Sequence, residues 1–137
     1  ILSGGPASVY APRSPKVDPA IYGLGVPVLG ICYGLQLTSH LLGGRVIRGA
    51  RREYGFAMLH RQADASLIFS GLPPSSQVWM SHGDRIEELP PGFQSLAYTD
   101  NSPVAAMGDN RGHIGLQFHP EVIHTVFGKE LLRNFLY

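Results

Sequence analysis

One stretch of the sequence decides the fold: Val26-Pro27-Val28-Leu29-Gly30-Ile31-Cys32-Tyr33-Gly34-Leu35-Gln36. An apolar run ends there in a cysteine between two glycines, a pattern typical of a nucleophile elbow, in which a buried strand turns sharply into a helix. The pattern predicts a strand over Val26–Leu29 and a helix over Leu35–Leu42, with the thiol of Cys32 presented above the sheet. The helix dipole should favour the thiolate, and the amide of Tyr33 should face the oxyanion that thiol attack creates. A buried structural cysteine is the alternative for a lone thiol.

A second segment, Gln117-Phe118-His119-Pro120-Glu121-Val122, contains residue types that a thiol nucleophile requires. The thiol needs a base, and the base needs an acidic or amide partner that fixes its tautomer. His119 and Glu121 are two residues apart after an apolar strand, so their side chains point the same way in an extended chain. We therefore predict a triad of Cys32, His119 and Glu121. Taken singly, a satisfied histidine and a solvated carboxylate are the alternatives.

The chain opens with Ile1-Leu2-Ser3-Gly4-Gly5-Pro6, which reads as the end of a buried strand running into a glycine loop. Such a loop can present a backbone N–H to an oxyanion, the second donor that an acyl-transfer site needs. It lacks the G-x-x-x-x-G-K-[ST] pattern of a phosphate-binding loop. An ordinary strand-end turn is the alternative.

The composition is that of a single globular enzyme domain. The 137 residues are 44% hydrophobic and only 15% charged, which argues against a disordered chain. The formal net charge of +1 gives no reason to expect a nucleic-acid partner. The apolar stretches are far shorter than a membrane span and no leader is visible, so we expect neither a membrane partner nor secretion. A single cysteine excludes an intramolecular disulfide and suits a reducing compartment, which predicts a cytoplasmic location.

Alternating strand and helix signals predict an α/β fold of three layers, a mixed and largely parallel sheet flanked by helices. The site is expected at the carboxyl ends of the strands. Besides the elbow, the pattern predicts a short helix near Asp18–Tyr22, strands at Val46–Ile47, Gly55–Leu59 and Gln77–Met80, a turn or short helix at Leu67–Phe69, a meander of Phe93–Tyr98, Val104–Met107 and His113–Phe118, and a final helix at Phe127–Leu136.

Taken together and in this order, the segments resemble the class I (triad) glutamine amidotransferases, which implies a flavodoxin-like fold. Finer details resemble the glutaminase domains of the GMP synthase family. The resemblance covers essentially the whole chain. It is carried by Ser3-Gly4-Gly5-Pro6 with Ser8-Val9-Tyr10, Gly30-Ile31-Cys32-Tyr33-Gly34 with Gln36, Arg52-Glu53-Tyr54-Gly55, Trp79 to Asp84, Gln117 to Val122 with His124-Thr125, and Asn134-Phe135-Leu136-Tyr137.

The resemblance implies that Cys32 attacks the side-chain amide of glutamine while His119, oriented by Glu121, shuttles the proton. Ammonia leaves first, and water then releases glutamate from a thioester. The amides of Gly5 and Tyr33 would form the oxyanion hole. The glutamine-binding residues would be Gln36, on the elbow helix, and Ser81, Gly83 and Asp84, on a loop. From the sequence alone, a polar strand-end turn is the alternative for Ser81-His82-Gly83-Asp84.

The resemblance also implies that residues 1–137 are one glutaminase domain, truncated at its N-terminus and needing no cofactor itself. Its ammonia would serve the amination of XMP to GMP by a synthetase (ATP pyrophosphatase) domain that uses ATP and magnesium. That domain and a dimerisation domain are absent from this chain. The alternatives are the glutaminase part of anthranilate synthase or carbamoyl-phosphate synthetase, a catalytically silent regulatory module, and a self-standing hydrolase of γ-glutamyl compounds.

Two further groups of residues carry charge. The arginines Arg45, Arg48, Arg51 and Arg52 could face an anionic nucleotide or a partner domain, although a solvated strand edge with Val46 and Ile47 inward is favoured. For docking onto the synthetase domain we single out Arg51–Tyr54 and His124–Thr125. The six histidines show no ligand spacing, and the P-C-x-x-C that follows H-x-E in zinc deaminases is missing, so we expect no metal.

Overall fold

A computed structural model describes residues 1–62 and 67–137, with the backbone alone for residues 50 and 51. The predicted role of the Arg51 side chain therefore lies outside the described residues. The helices and strands follow in the order β1 (Val28–Ile31), α1 (Tyr33–Leu41), β2 (Arg45–Arg61), β3 (Ser75–Glu88), β4 (Gln94–Tyr98), β5 (Ala106–Gly108), β6 (His113–Leu116) and α2 (Gly128–Leu136), with 3₁₀ turns at Pro19–Gly23 and Leu67–Phe69.

The described strands form one sheet of six, in the order β1-β6-β5-β4-β2-β3. Strand β1 pairs with β6 in parallel, and Leu2 forms a further parallel bridge to Gly30. The remaining described pairs are antiparallel. The α/β fold with a mixed sheet is thus confirmed, but the expectation of mostly parallel pairing is corrected. The reason is that β4, β5 and β6 are joined by short connections, which allow only antiparallel pairing.

The sheet separates two apolar clusters, one under each helix. Leu35 of α1 packs with Met107 and Phe93 on one face. Leu131 of α2 packs with Leu29 and a larger group of buried side chains on the other face. Successive residues of a strand point to opposite faces, so each strand contributes to both clusters. The arrangement is the predicted three layers, and burial of each large apolar side chain contributes about 1.5–3 kcal/mol to it.

The long hairpin of β2 and β3 differs from the sequence prediction. Two short strands were expected where β2 runs continuously over Arg45–Arg61, with a register shift against β3 between Arg48 and Glu53. The segment Ser81–Asp84, expected to be a loop, lies inside β3 and pairs with β2. Backbone pairing across the hairpin keeps these polar segments in strand conformation. They were not predicted from sequence because they lack the alternation of apolar and polar residues that is typical of a strand.

The other predicted elements are found close to their expected positions. The meander is formed by β4, β5 and β6, and its last hairpin turns through Gly112, whose φ of 86° suits glycine. The short turn at Leu67–Phe69 and the final helix are also present. Within the described part of the chain, no helix has the length and apolarity to cross a membrane.

Candidate active site

The elbow places Cys32 in a backbone conformation that side chains rarely adopt. Cys32 has φ 54° and ψ −104°, and among the described residues no other non-glycine has a positive φ. Such strain, of the order of 1–3 kcal/mol, persists only where surrounding contacts impose it. Here the amide of Cys32 donates to the carbonyl of Leu116 at 2.7 Å, and the amide of Ile31 donates to the carbonyl of Leu2 at 2.8 Å. The end of β1 is therefore fixed on both sides.

The two glycines that flank the elbow are required by close backbone contacts. A Cβ on Gly30 would lie 2.5 Å from the carbonyl carbon of Gly34, at the first turn of α1. A Cβ on Gly34 would overlap the carbonyl oxygen of Leu2. Neither site has space for a side chain, so the prediction of a sharp strand-to-helix turn is confirmed by the backbone geometry.

The thiol of Cys32 sits in a largely apolar environment. Its sulfur is 3.5 Å from the carbonyl oxygen of Ser81 and accepts a long contact of 3.8 Å from the side-chain amide of Gln117. The pKa of Cys32 is raised to about 11: burial raises it most, and the negative charge of Glu121 adds to the rise, whereas hydrogen bonds from the amide of Tyr33 and from Gln117 lower it. Burial therefore opposes the thiolate that the helix dipole was expected to favour, because desolvation penalises the charged form.

His119 and Cys32 lie on either side of Gly4. A Cβ on Gly4 would be 2.9 Å from Cε1 of His119 and 3.3 Å from Cβ of Cys32. The Nδ1 atom of His119 is 2.6 Å from Oε1 of Glu121, whose side chain is half-exposed. The structure thus brings together the three side chains of the predicted triad, with the carboxylate on the solvent side of the imidazole. Gly4 itself had no predicted role, although it stands in the glycine loop.

The backbone of His119 is tied to the edge of β3. Its amide donates to the carbonyl of Trp79 at 3.0 Å. The buried hydroxyl of Thr125 donates to the carbonyl of His119 at 2.6 Å and accepts from the amide of Trp79 at 3.0 Å. Thr125 therefore clamps the residue before Pro120 to the sheet, a positioning role that was not predicted from sequence because no local pattern marks it.

A cavity of about 950 Å³ opens beside the thiol. Its lining includes the predicted nucleophile Cys32, the predicted base His119 and the predicted oxyanion residue Gly5. The four predicted glutamine-binding residues also line it: Gln36, Ser81, Gly83 and Asp84. The side chain of Tyr33 points elsewhere and donates to the carbonyl of Pro15, while its amide bonds the sulfur of Cys32. The volume is sufficient for an amino acid with several waters.

Gln36 is buried in the wall of this cavity. Its side-chain amide donates to the carbonyl of Asp84 at 3.2 Å and lies 3.5 Å from Oε1 of Gln117. Because α1 begins at Tyr33, Gln36 lies one turn beyond Cys32 and on the same face. The helix thereby connects the elbow to the segment of β3 that forms the opposite wall.

A buried polar network stands behind that wall. The Nδ1 atom of His82 donates to the carbonyl of Asp84 at 2.7 Å, and its Nε2 atom is 2.8 Å from Oε1 of Glu53. Glu53 also accepts from Ser102 at 2.5 Å and from Thr99 at 3.1 Å. Burial alone would raise the pKa of Glu53, but these hydrogen bonds and the charge of His82 lower it. The network was not predicted from sequence because its members come from three distant segments.

Two of the predicted arginines, Arg48 and Arg52, line the cavity mouth. Both are exposed, and within the described residues neither forms an ion pair with a carboxylate. Arg52 donates to the hydroxyl of Tyr54 at 3.3 Å. Of the two residues expected to point inward, Val46 is buried but Ile47 is only partly buried, and Arg48 and Arg52 lie at the cavity as well as at the strand edge. In the described part of the chain, no three His, Cys, Asp or Glu side chains cluster as a metal site would require.

Comparison with known proteins shows which family this chain belongs to. The family model for glutamine amidotransferase class-I matches residues 1–137. The chain belongs to the class I glutamine amidotransferases. Among solved structures, a glutamine amidotransferase from Thermotoga maritima is 26% identical, with a TM-score of 0.68 over 85% of this chain and 47% of that protein. A Thermoplasma acidophilum protein, described as one subunit of a GMP synthase, is 34% identical, with a TM-score of 0.80 over 85% of this chain and 58% of that chain.

The curated relatives are longer amidotransferases. The glutamine-hydrolysing GMP synthase of Aquifex aeolicus is 57% identical over 138 residues, which cover all of this chain and 27% of the relative. The corresponding enzyme of Thermomicrobium roseum is 60% identical over 138 residues, all of this chain and 26% of the relative. The chain thus spans about a quarter of the length of these relatives.

Proposed function

We propose that this amidotransferase domain hydrolyses glutamine to glutamate and ammonia, with Cys32 as nucleophile and His119 as base. The observation that carries the proposal is the close approach of these two side chains around Gly4, at the edge of a cavity of amino-acid size. The sulfur attacks the side-chain amide carbon, and the thiol proton passes through His119 to the departing ammonia. Water, activated by the same imidazole, then cleaves the thioester and releases glutamate.

The elevated thiol pKa fits base-assisted attack better than a permanently ionised thiolate. At neutral pH the thiol of Cys32 holds its proton, so His119 must accept it as the carbon–sulfur bond forms. The hydrogen bond between His119 and Glu121 orients the imidazole and stabilises the cation that results. Because Glu121 is half-exposed, water can take over part of this role when the carboxylate is removed.

The oxyanion of the tetrahedral intermediate would be held by the amides of Tyr33 and Gly5. The Tyr33 amide already bonds the sulfur of Cys32, and Gly5 lies on the glycine loop that borders the same cavity. Glutamine would be held by Gln36 and by Ser81, Gly83 and Asp84. These four residues line the same cavity as the thiol.

We further propose that the ammonia serves the ATP- and magnesium-dependent amination of XMP to GMP in the cytoplasm. This proposal is supported by the similarity to GMP synthases and by the fraction of their length that the chain spans. The partner would be a synthetase (ATP pyrophosphatase) domain, fused or separate, docked near Arg51–Tyr54 and His124–Thr125. A free catalytic thiol suits such a reducing compartment.

The test supplies candidate partners, each with its substrates, to the domain. We expect low glutaminase activity alone, with a rise when a GMP-synthase-type synthetase domain, ATP, magnesium and XMP are added. Stimulation by an anthranilate or carbamoyl-phosphate partner instead would keep the triad and overturn the assignment to GMP synthesis. A Cys32→Ala variant, inactive in every mixture, is the control for contaminating glutaminases.

A further inference from the structure

The outward face of the β2–β3 hairpin carries a row of apolar side chains that nothing in the described chain covers. Tyr54, Phe56 and Met58 alternate along β2 with exposed fractions of 62%, 62% and 51%. Trp79, directly opposite Phe56 on β3, extends the row across the hairpin. We call Tyr54, Phe56, Met58, Trp79 and His124 the aromatic strip.

Three members of the strip, Phe56, Trp79 and His124, are in mutual ring contact, and Tyr54 and Met58 flank Phe56 on the same strand. The ring centroids of Phe56 and Trp79 are 5.3 Å apart, those of Trp79 and His124 are 4.6 Å apart, and those of Phe56 and His124 are 5.6 Å apart. Isolated exposed apolar residues are ordinary, whereas a joined cluster with a polar rim marks a surface that binds another protein. Aromatic residues packed in this way are typical centres of such interfaces.

One end of the strip reaches the mouth of the catalytic cavity. Tyr54 lines that mouth together with Arg48 and Arg52, whose charges are not paired with a carboxylate among the described residues. A protein seated on the strip would therefore lie beside the mouth of the cavity that holds Cys32. Its contact surface would be apolar at the centre, with carboxylates opposite the two arginines.

The β3 side of the strip is linked through the backbone to His119. Trp79 accepts from the amide of His119, and Thr125, which follows His124, bonds both Trp79 and the carbonyl of His119. A shift of Trp79 or His124 on docking would be transmitted through these short bonds to the position of the imidazole. The strip and His119 are therefore connected by a short path of hydrogen bonds.

We propose that the aromatic strip is the docking surface for the ammonia-consuming region of the longer protein, and that docking there adjusts His119 for catalysis. The inference rests on the proposed function, since it takes the occupant to be the consumer of ammonia. The relatives support this occupant over a second copy of the chain, because about three quarters of their length lies outside the matched region. The cavity mouth beside the strip is the position that such a consumer needs.

Two measurements on the complete enzyme, this chain together with its synthetase region, test the proposal separately from the chemistry. In the first, Phe56→benzoylphenylalanine is irradiated and the cross-linked peptide is identified by mass spectrometry. We expect cross-links to the synthetase region with ATP and XMP present, and none from the matched exposed position Val26→benzoylphenylalanine. Cross-links to a second copy of this chain, or to nothing, would overturn the docking surface.

In the second measurement, Phe56→Ser with Met58→Ser is compared with Val26→Ser. We expect the stimulation of glutamine hydrolysis by ATP and XMP to fall at least about tenfold in the double variant, as loss of central interface residues does elsewhere. Basal hydrolysis and ammonium-dependent GMP formation should be unchanged. Full stimulation in the double variant would overturn the proposal. If the unaltered enzyme hydrolyses no glutamine, the proposed function fails while the cross-linking result still decides the docking.

Discussion

The buried carboxylate of Glu53 lies 2.8 Å from Nε2 of His82, its direct partner across the β2–β3 pair. The register of the two strands shifts between Arg48 and Glu53. The pair of Glu53 and His82 is therefore the first of the regular pairs that continue along the hairpin. His82 also bonds the carbonyl of Asp84, which in turn accepts from Gln36. A polar pair behind the cavity thus holds the wall proposed to bind glutamine.

Glu53→Ala should destabilise the fold by about 3 kcal/mol, because His82 would be left buried without its charged partner. The folded state lowers the pKa of Glu53, so the stabilisation is present above the ordinary carboxyl range and is lost as the pH falls through the folded value. Urea unfolding at several pH values should show the gap between wild type and variant closing under acid conditions. The matched control, Glu87→Ala, removes an exposed carboxylate from the neighbouring strand β3 and should change stability little.

Cys32→Ala or Cys32→Ser should abolish glutamine-dependent activity, because neither side chain offers the sulfur nucleophile. With the synthetase region present, activity with added ammonium should persist, since ammonia bypasses the thioester. Glutamate release and ammonium-dependent product formation are measured side by side. Glutamine hydrolysis retained in the alanine variant would end the triad proposal.

The reactivity of the Cys32 thiol should rise steeply with pH. Its pKa of about 11 means that the thiolate fraction grows roughly tenfold with each pH unit in the neutral and mildly alkaline range. The rate of alkylation by iodoacetamide, followed by mass spectrometry, measures this directly on the unliganded protein. A rate already on a plateau below pH 8 would mean that a thiolate–imidazolium pair exists at rest, contrary to the burial argument.

His119→Ala should slow glutamine hydrolysis by about 10²–10⁴-fold, the usual contribution of a positioned base. Glu121→Ala should cost less, because the half-exposed carboxylate can be replaced partly by water. Labelling of Cys32 by a glutamine-like electrophile should follow the same order. Native-rate labelling in the His119 variant would show that another group activates the thiol.

Gly4→Ala should impair catalysis more than stability. The added methyl group would press on Cε1 of His119 at 2.9 Å and on Cβ of Cys32 at 3.3 Å, so the imidazole must move. Gly23→Ala, where an added methyl group meets nothing within 4 Å, is the control and should leave kcat/KM unchanged. Comparison of kcat/KM with the unfolding midpoint separates the two effects, and an equal loss of both in Gly4→Ala would contradict the expectation.

The elbow and the base could be predicted from sequence because their constraints are local. The glycines beside Cys32 are demanded by contacts within the turn itself and with the adjoining strand, and they occupy fixed positions along the chain. His119 and Glu121 are separated by one residue, so their hydrogen bond is local, although Pro120 and Glu121 lie in a turn and not in the extended chain expected from the sequence. The meander was equally accessible, since short turns between apolar strands admit only antiparallel pairing.

Tertiary structure alone decided the properties that depend on distant segments meeting. The thiol pKa is set chiefly by burial, and the side chains that surround the sulfur, such as Gln117, come from distant parts of the chain. The strand state of Ser81–Asp84 depends on pairing with β2, and the Glu53 network joins three separate parts of the chain. The exposed strip carries the same residue types as the core, and only the packing of the sheet determines which face is covered. Local sequence fixes backbone geometry, whereas solvation and long-range pairing arise only when the whole chain has folded.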